Sequence, residues 1–292
     1  MTTTVLDRTA VSRLLPGAGT LSAQPLPQGR FNTCWHLTGA DRSYLLKLND
    51  REGETHLRQM AAAMSAAAAR GVAVPRVLSV GTDPELGPFL LQEWLDGRTF
   101  AEARQDDAIE PDLWPRLGHQ IALLHSTQPA PALTETSASR ARRLTGLLDD
   151  LRRHRLISAA LAEESRRRGL PLAEQLGIQE CVNTHQDIYP DNILIRPGGK
   201  IALLDFDHAT PAEAASDFVK LDRWCLPSAP DRQQLLDAYW QQRGEPADLL
   251  FEQRLAFHRL VITLSYFLYW HGRDPTQLHG CTAALRTELE RT

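Results

Sequence analysis

Apolar residues fall along this chain with two different periods, and the change from one to the other divides it. Residues 6–15 (LDRTAVSRLL) carry the three-and-four spacing of a short amphipathic helix, which Pro16 and Gly17 would end, and 21–26 lead into extended structure. In the stretch CWHLTGADRSYLLKLN, 34–49, apolar and aromatic residues flank the turn formers Gly39-Ala40-Asp41, which predicts two strands with Lys47 on the second. Residues 52–70, rich in Ala, Met, Gln and Arg and followed by Gly71, predict a helix. VAVPRVLSVG (72–81) and FLLQEWL (89–95) return to extended structure, and Asp96-Gly97 reads as a turn or hinge.

Beyond that point the helical period dominates, at 112–126 with Pro115 in its first turn, 138–154, 156–168, 232–243 and 249–271. One interruption stands out within 181–207: two short apolar runs, Ile193–Ile195 and 201–204, joined by Pro197-Gly198-Gly199, predict a hairpin. The pattern therefore predicts an α+β chain, β-rich over 1–95 and mainly helical over 96–292. The Ala-rich stretch 61–69 is accounted for by helix propensity, and no internal repeat is present.

Composition narrows the function more than the fold. A 292-residue chain that is 42% hydrophobic can bury an ordinary core. With 23% charged residues and a net charge of −4, it lacks the basic excess of a nucleic-acid binder and the bias of a disordered chain. A small-molecule partner is expected. From Asp205 onward there are 13 acids against 9 Lys and Arg, and before it 23 of each, so the negative balance lies late in the chain. Solvated helix faces and an acidic pocket for a cationic substrate both fit that asymmetry. Cys34, Cys181, Cys225 and Cys281 have no CxxC spacing, which argues against a zinc site or disulfide framework and fits a reducing cytoplasm. The N-terminus lacks a signal-peptide pattern, and the longest apolar run, 260–270, is too short to span a bilayer, so no membrane association is expected.

Candidate chemistry concentrates in His185-Gln186-Asp187-Ile188-Tyr189-Pro190-Asp191-Asn192, followed after the predicted hairpin by Asp205-Phe206-Asp207. This is the pattern H-x-D-x-x-x-x-N plus D-F-x. Phosphoryl transfer needs a carboxylate beside the acceptor hydroxyl, for which Asp187 is suited. It also needs hard oxygen ligands to hold Mg²⁺ against ATP phosphates, for which Asn192 and Asp205 are suited. Asp207 reads either as a further metal-facing group or as a solvated neighbour.

On these residues the chain resembles the aminoglycoside phosphotransferase and choline kinase superfamily, over nearly its full length. The resemblance implies a two-lobed protein-kinase-like fold, with nucleotide bound by the lobe 1–95 and catalysis and substrate binding in 96–292. It implies that ATP is held by the loop containing Gly29 and Asn32, by Lys47 on the α- and β-phosphates, and by the hinge residues Gln92, Glu93 and Leu95. It implies a small acceptor such as an aminoglycoside or a choline-like amino alcohol. Phe218, Trp224, Tyr239, Trp240, Tyr266, Tyr269 and Trp270 could cage a cation or simply form core. Relatives pair the lysine with a helix glutamate, where this chain has Arg58-Gln59-Met60, so Glu52, Glu54 or a neutral hydrogen bond must substitute. Asp217 either braces the catalytic loop or caps a helix, and His125 and His185 are expected to be structural. A protein kinase is disfavoured because Gln186 replaces the Arg of H-R-D and no A-P-E segment follows. A scaffold pseudokinase is the remaining alternative, supported by the missing helix glutamate alone.

Overall fold

The computed structural model describes residues 6, 8–16, 20–27, 32–49, 51–106, 109–110, 112–129, 131–226 and 228–291. In chain order the elements are α1 (Arg8–Leu14), β1 (Ser22–Pro25), β2 (Thr33–Thr38), β3 (Ser43–Leu48), α2 (Gly53–Ala69), β4 (Val77–Asp83), β5 (Gly87–Glu93), β6 (Arg98–Thr99), α3 (Phe100–Gln105) and α4 (Leu113–His125). There follow β7 (Thr134–Glu135), α5 (Ser137–Arg153), α6 (Ala159–Gln175), β8 (Gln179–Glu180), β9 (Val182–Thr184), β10 (Ile193–Ile195), β11 (Ile201–Leu203) and β12 (Thr210–Ala212). The chain ends with α7 (Phe218–Trp224), α8 (Ala229–Arg243), α9 (Phe251–His271) and α10 (Leu278–Arg291). No helix among the described residues is long and apolar enough to cross a membrane.

Contacts group the chain into two compact units, the first made of 1–127, 187–209 and 233–242 and the second of the remaining segments. In the first, β1-β2-β3-β5-β4 form an antiparallel sheet. Because side chains alternate across a strand, Trp35, Leu37, Leu46 and Leu48 share one face. There they pack with Val11, Leu21, Phe89 and Leu91. Cys34 and Lys47, paired across β2 and β3, occupy the other face. That face meets α2, which packs on β4 and β5 and buries Leu57, Met60, Met64 and Ala67.

The hairpin β10–β11 belongs to this unit. Its register pairs Ile193 with Leu203, and Leu203 N–H donates to Ala73 O at 2.9 Å, which ties it to the segment after α2. β10 also pairs with β6, where Gly97 is a steric requirement: a Cβ there would stand 2.6 Å from Ile195 O. The two-strand hairpin and the turn after Arg196 agree with the sequence pattern.

The second unit is mainly helical, with Leu144, Leu148, Leu260, Leu264, Phe267 and Leu285 at the centre of its core. Thr136 caps α5 in a capping box with Ser139, and Ser158 caps α6. Four helices depart most from the sequence pattern: α3, α7 and α10 form where it predicts none, and α6 continues to Gln175 through Pro171 rather than ending at 168. Its buried Ser165, Gly169 and Ala173 keep a continuous apolar stripe across the proline, so tertiary packing outweighs the lost backbone bond.

Beneath these helices Glu213 is fully buried. It accepts from Arg140 Nε at 3.0 Å, Arg254 Nη1 at 2.8 Å and His258 Nε2 at 2.9 Å. Burial alone would raise the Glu213 carboxyl, but His258 and Arg140 together hold it far below the usual carboxylate range. Burial lowers the His258 imidazole despite Glu213. Both groups bind protons less readily folded than unfolded, so their contribution is present at neutral pH and lost on acidification, from about pH 6.5 for His258 and about 4.5 for Glu213. Glu213→Gln takes the carboxylate from the buried Arg140 guanidinium, while Arg254 keeps Asp248, and is expected to lower stability at pH 7 by about 3 kcal/mol. Urea midpoints at pH 7 and 4 check this. The variant should lose the steep fall below pH 4.5, and a retained fall would place it on other carboxylates.

Candidate active site

Lys47 lies in the buried half of β3, and its ammonium reaches two carboxylates: Asp205 Oδ1 at 2.6 Å and Asp207 Oδ1 at 3.3 Å. Burial works to lower the ammonium, but Asp205 and Asp207 outweigh it and hold it above its ordinary value. The two acids differ. The Asp205 side chain is 41% exposed and its backbone is left-handed, with φ 61° and ψ 74°, whereas that of Asp207 is 7% exposed. Asp207 Oδ2 accepts a short hydrogen bond from Asn32 Nδ2. Burial raises the Asp207 carboxyl, with Lys47 opposing and Asp205 adding to the rise. Cys34, beside Lys47 in the ladder, is pushed up to about 11 by burial, so it is no thiolate nucleophile at neutral pH.

Asp187 and Asn192 form a second pair. Asn192 closes a 3₁₀ turn over Pro190–Asn192, and its Nδ2 donates to Asp187 Oδ2 at 2.9 Å and to Asp187 O at 3.0 Å. With the amide nitrogen committed to Asp187, Asn192 keeps its amide oxygen for another donor or a cation. Leu204 N–H donates to Asn192 O at 2.9 Å, so the hairpin brings the residue before Asp205 against the turn that ends at Asn192. Of the hinge residues, Gln92 is buried on β5 opposite Leu45, and Glu93 pairs with Tyr44. Trp94 N–H donates to Ser43 O and stacks on His36 at 4.0 Å, and Leu95 follows outside the strand. Gly29 lies outside the described residues.

Neither Glu52 nor Glu54 pairs with Lys47. Glu54 binds Thr82 and Arg58, Glu52 lies 3.1 Å from His56, Gln59 is exposed, and Met60 Sδ stands 3.8 Å from Lys47 Nζ. His56, 3.7 Å from Asp207 Oδ1, had no signal in the sequence beyond its position one turn before Met60. In the second unit, Asp217 accepts from the backbone N–H groups of His185 at 2.9 Å and Gln186 at 2.5 Å, and makes no side-chain cap for α7. The bracing role is the one its geometry performs. His125 is buried and bonded to Tyr239 at 2.9 Å, as a structural histidine would be.

Phe218 and Tyr239 are core residues, 1% exposed, and the ring of Tyr269 is covered by the guanidinium of Arg273 at 4.1 Å. A cavity of about 560 Å³ in the second unit is lined by Arg223, Arg232, Arg259 and Arg291 against Asp222 and Glu288. Despite the acidic balance of that part of the chain, basic groups predominate on this wall.

Oxygen donors suit a hard cation at the first unit's cluster. Asn32 Oδ1 is buried there and accepts no hydrogen bond. Among the described residues no group of three or more His, Cys, Asp or Glu is arranged to hold a metal.

Residues 22–251 match the family described as the phosphotransferase enzyme family. No curated protein matches the chain. Several solved structures do. The GDP and kanamycin complex of APH(2")-IIia aligns with a TM-score of 0.69 and 15% identity, over 97% of this chain and 98% of that one. Macrolide 2'-phosphotransferase MphH from Brachybacterium faecium gives 0.68 and 17%, over 96% and 97%. Spectinomycin phosphotransferase APH(9)-Ia, in complex with ADP and spectinomycin, gives 0.67 and 12%, over 98% and 97%. At these identities the likeness is one of fold: a protein-kinase-like arrangement with an antiparallel sheet in the N-terminal region and helices in the C-terminal region.

Proposed function

Because this chain belongs to the phosphotransferase enzyme family, we propose that it transfers the γ-phosphoryl group of ATP to a hydroxyl of a small molecule. The observation that carries the proposal is the first unit's juxtaposition of Lys47 with Asp205 and of Asp187 with Asn192, joined through one short hairpin. Asp187 would receive the acceptor's hydroxyl as a hydrogen-bond donor and take its proton as the new P–O bond forms. Asn192, which donates to Asp187, keeps that carboxylate oriented. Lys47 would meet the α- and β-phosphates, the backbone of Gln92, Glu93 and Leu95 the adenine edge, and Gly29 and Asn32 would also bind the nucleotide. Asn192 and Asp205 would hold Mg²⁺, which supplies charge neutralisation between the phosphates. Phosphoryl transfer asks little covalent work of side chains, so positioning and charge account for most of the catalysis.

The acceptor is a small alcohol. A cationic one, such as an aminoglycoside or a choline-like amino alcohol, fits the negative balance late in the chain. ADP release should be measured with ATP or GTP against cationic, neutral and anionic alcohols. Release that depends on one acceptor class is the expected result. Nucleotide binding with no acceptor-dependent release from any class would replace the enzyme with a scaffold.

A further inference from the structure

The lysine of a phosphoryl-transfer site must be held by an anion that is still present when the metal-binding carboxylate turns to its cation. On α2 the position that faces Lys47 carries the thioether of Met60, 3.8 Å from Nζ, and both acids of that helix's first turns are engaged elsewhere. Asp205 is the nearer carboxylate, yet it is the one assigned to the metal and the more exposed of the two. Asp207 has the opposite character. It is buried, lies 3.3 Å from Lys47, is fixed by Asn32 through its second oxygen, and has His56 of α2 3.7 Å from its first.

We propose that Asp207 is the positioning residue for Lys47, taking from the Asp-Phe-Asp turn the role that a carboxylate on α2 would otherwise fill. This rests on the proposed function, in which Lys47 meets phosphates. Asp205 can then alternate between lysine and metal without releasing the ammonium, because Asp207 remains behind it. The arrangement also explains a tolerated Met60: a second buried carboxylate there would crowd three acids around one cation.

Asp207→Asn is close to isosteric and can still accept from Asn32, so it removes charge with little change of shape. Calorimetric titration with ADP in EDTA reads the lysine without metal or turnover. The variant should bind ADP about tenfold more weakly, and need several-fold more Mg²⁺ for half-maximal turnover. Adding Met60→Glu, which puts the carboxylate on α2 instead, should recover ADP affinity to within about twofold. Circular dichroism melts exclude unfolding, and a merely structural Asp207 would not be rescued from α2. Unchanged metal-free affinity in Asp207→Asn, or a double variant as weak as the single, overturns the assignment. Those results would leave the proposed function standing, whereas a wild-type chain that binds ADP normally but phosphorylates no acceptor would remove the proposed function and not this role.

Discussion

Asp187→Asn is expected to lower acceptor phosphorylation by on the order of 10³-fold while leaving ADP affinity within about twofold of the wild type. The asymmetry follows from what Asp187 touches. Its Oδ2 accepts from Asn192 Nδ2 at 2.9 Å and its backbone oxygen from the same amide at 3.0 Å, so an asparagine can keep the turn through its own amide oxygen. What disappears is the anionic charge that orients the acceptor hydroxyl and takes its proton. On the nucleotide side of the site, Lys47 is held by ion pairs with Asp205 and Asp207, which the substitution leaves in place. Steady-state ADP release and calorimetric binding measure the two halves separately. Turnover within tenfold of wild type would take the base role from Asp187.

Asp205→Asn should be as damaging to turnover but should also abolish the strengthening of nucleotide binding by Mg²⁺. The metal loses its carboxylate, and an amide oxygen is a much weaker ligand for a cation that dehydrates reluctantly. The buried ammonium keeps only Asp207, at 3.3 Å, so metal-free ADP binding should survive. Equal ADP affinity with and without Mg²⁺ in the variant, against a clear difference in the wild type, is the expected result. A variant whose affinity still rises with Mg²⁺ as in the wild type would move the metal to other oxygens.

The two aspartates were legible in the sequence for a local reason. Asp187, Asn192, the hairpin Ile193–Leu203 and Asp205 lie within twenty residues, and antiparallel pairing of two three-residue strands leaves one way to return the chain. The strands of the main sheet were equally plain, since in 34–49 apolar and aromatic residues flank a single cluster of turn formers. α10 also carries a usable signal, Leu278, Cys281, Leu285 and Leu289 at helical spacing after Pro275, but Gly280 interrupts its first turn. α7, only seven residues long, had too few turns for a period to emerge.

The partner of Lys47 was a different kind of question. The sequence left Glu52, Glu54 or a neutral hydrogen bond, and the structure gives the ammonium the Met60 thioether at 3.8 Å and its nearest carboxylate 158 positions away, at Asp205, with Asp207 behind. Charges near in sequence were drawn off by nearer partners, Arg58 and Thr82 for Glu54 and His56 for Glu52. In the same way an excess of acids after Asp205 gave no warning of a cavity walled by four arginines. Sequence by itself determined the strands of the main sheet, most of the long helices, the turn and hairpin that carry Asp187, Asn192 and Asp205, and the family to which those residues point. Those depend on hydrogen bonds and side-chain periods that act within a few residues. Which carboxylate meets the buried ammonium, and which charges line a cavity, only the tertiary structure decided, because a low-dielectric interior pairs charges by distance in space and counting along the chain does not measure that distance.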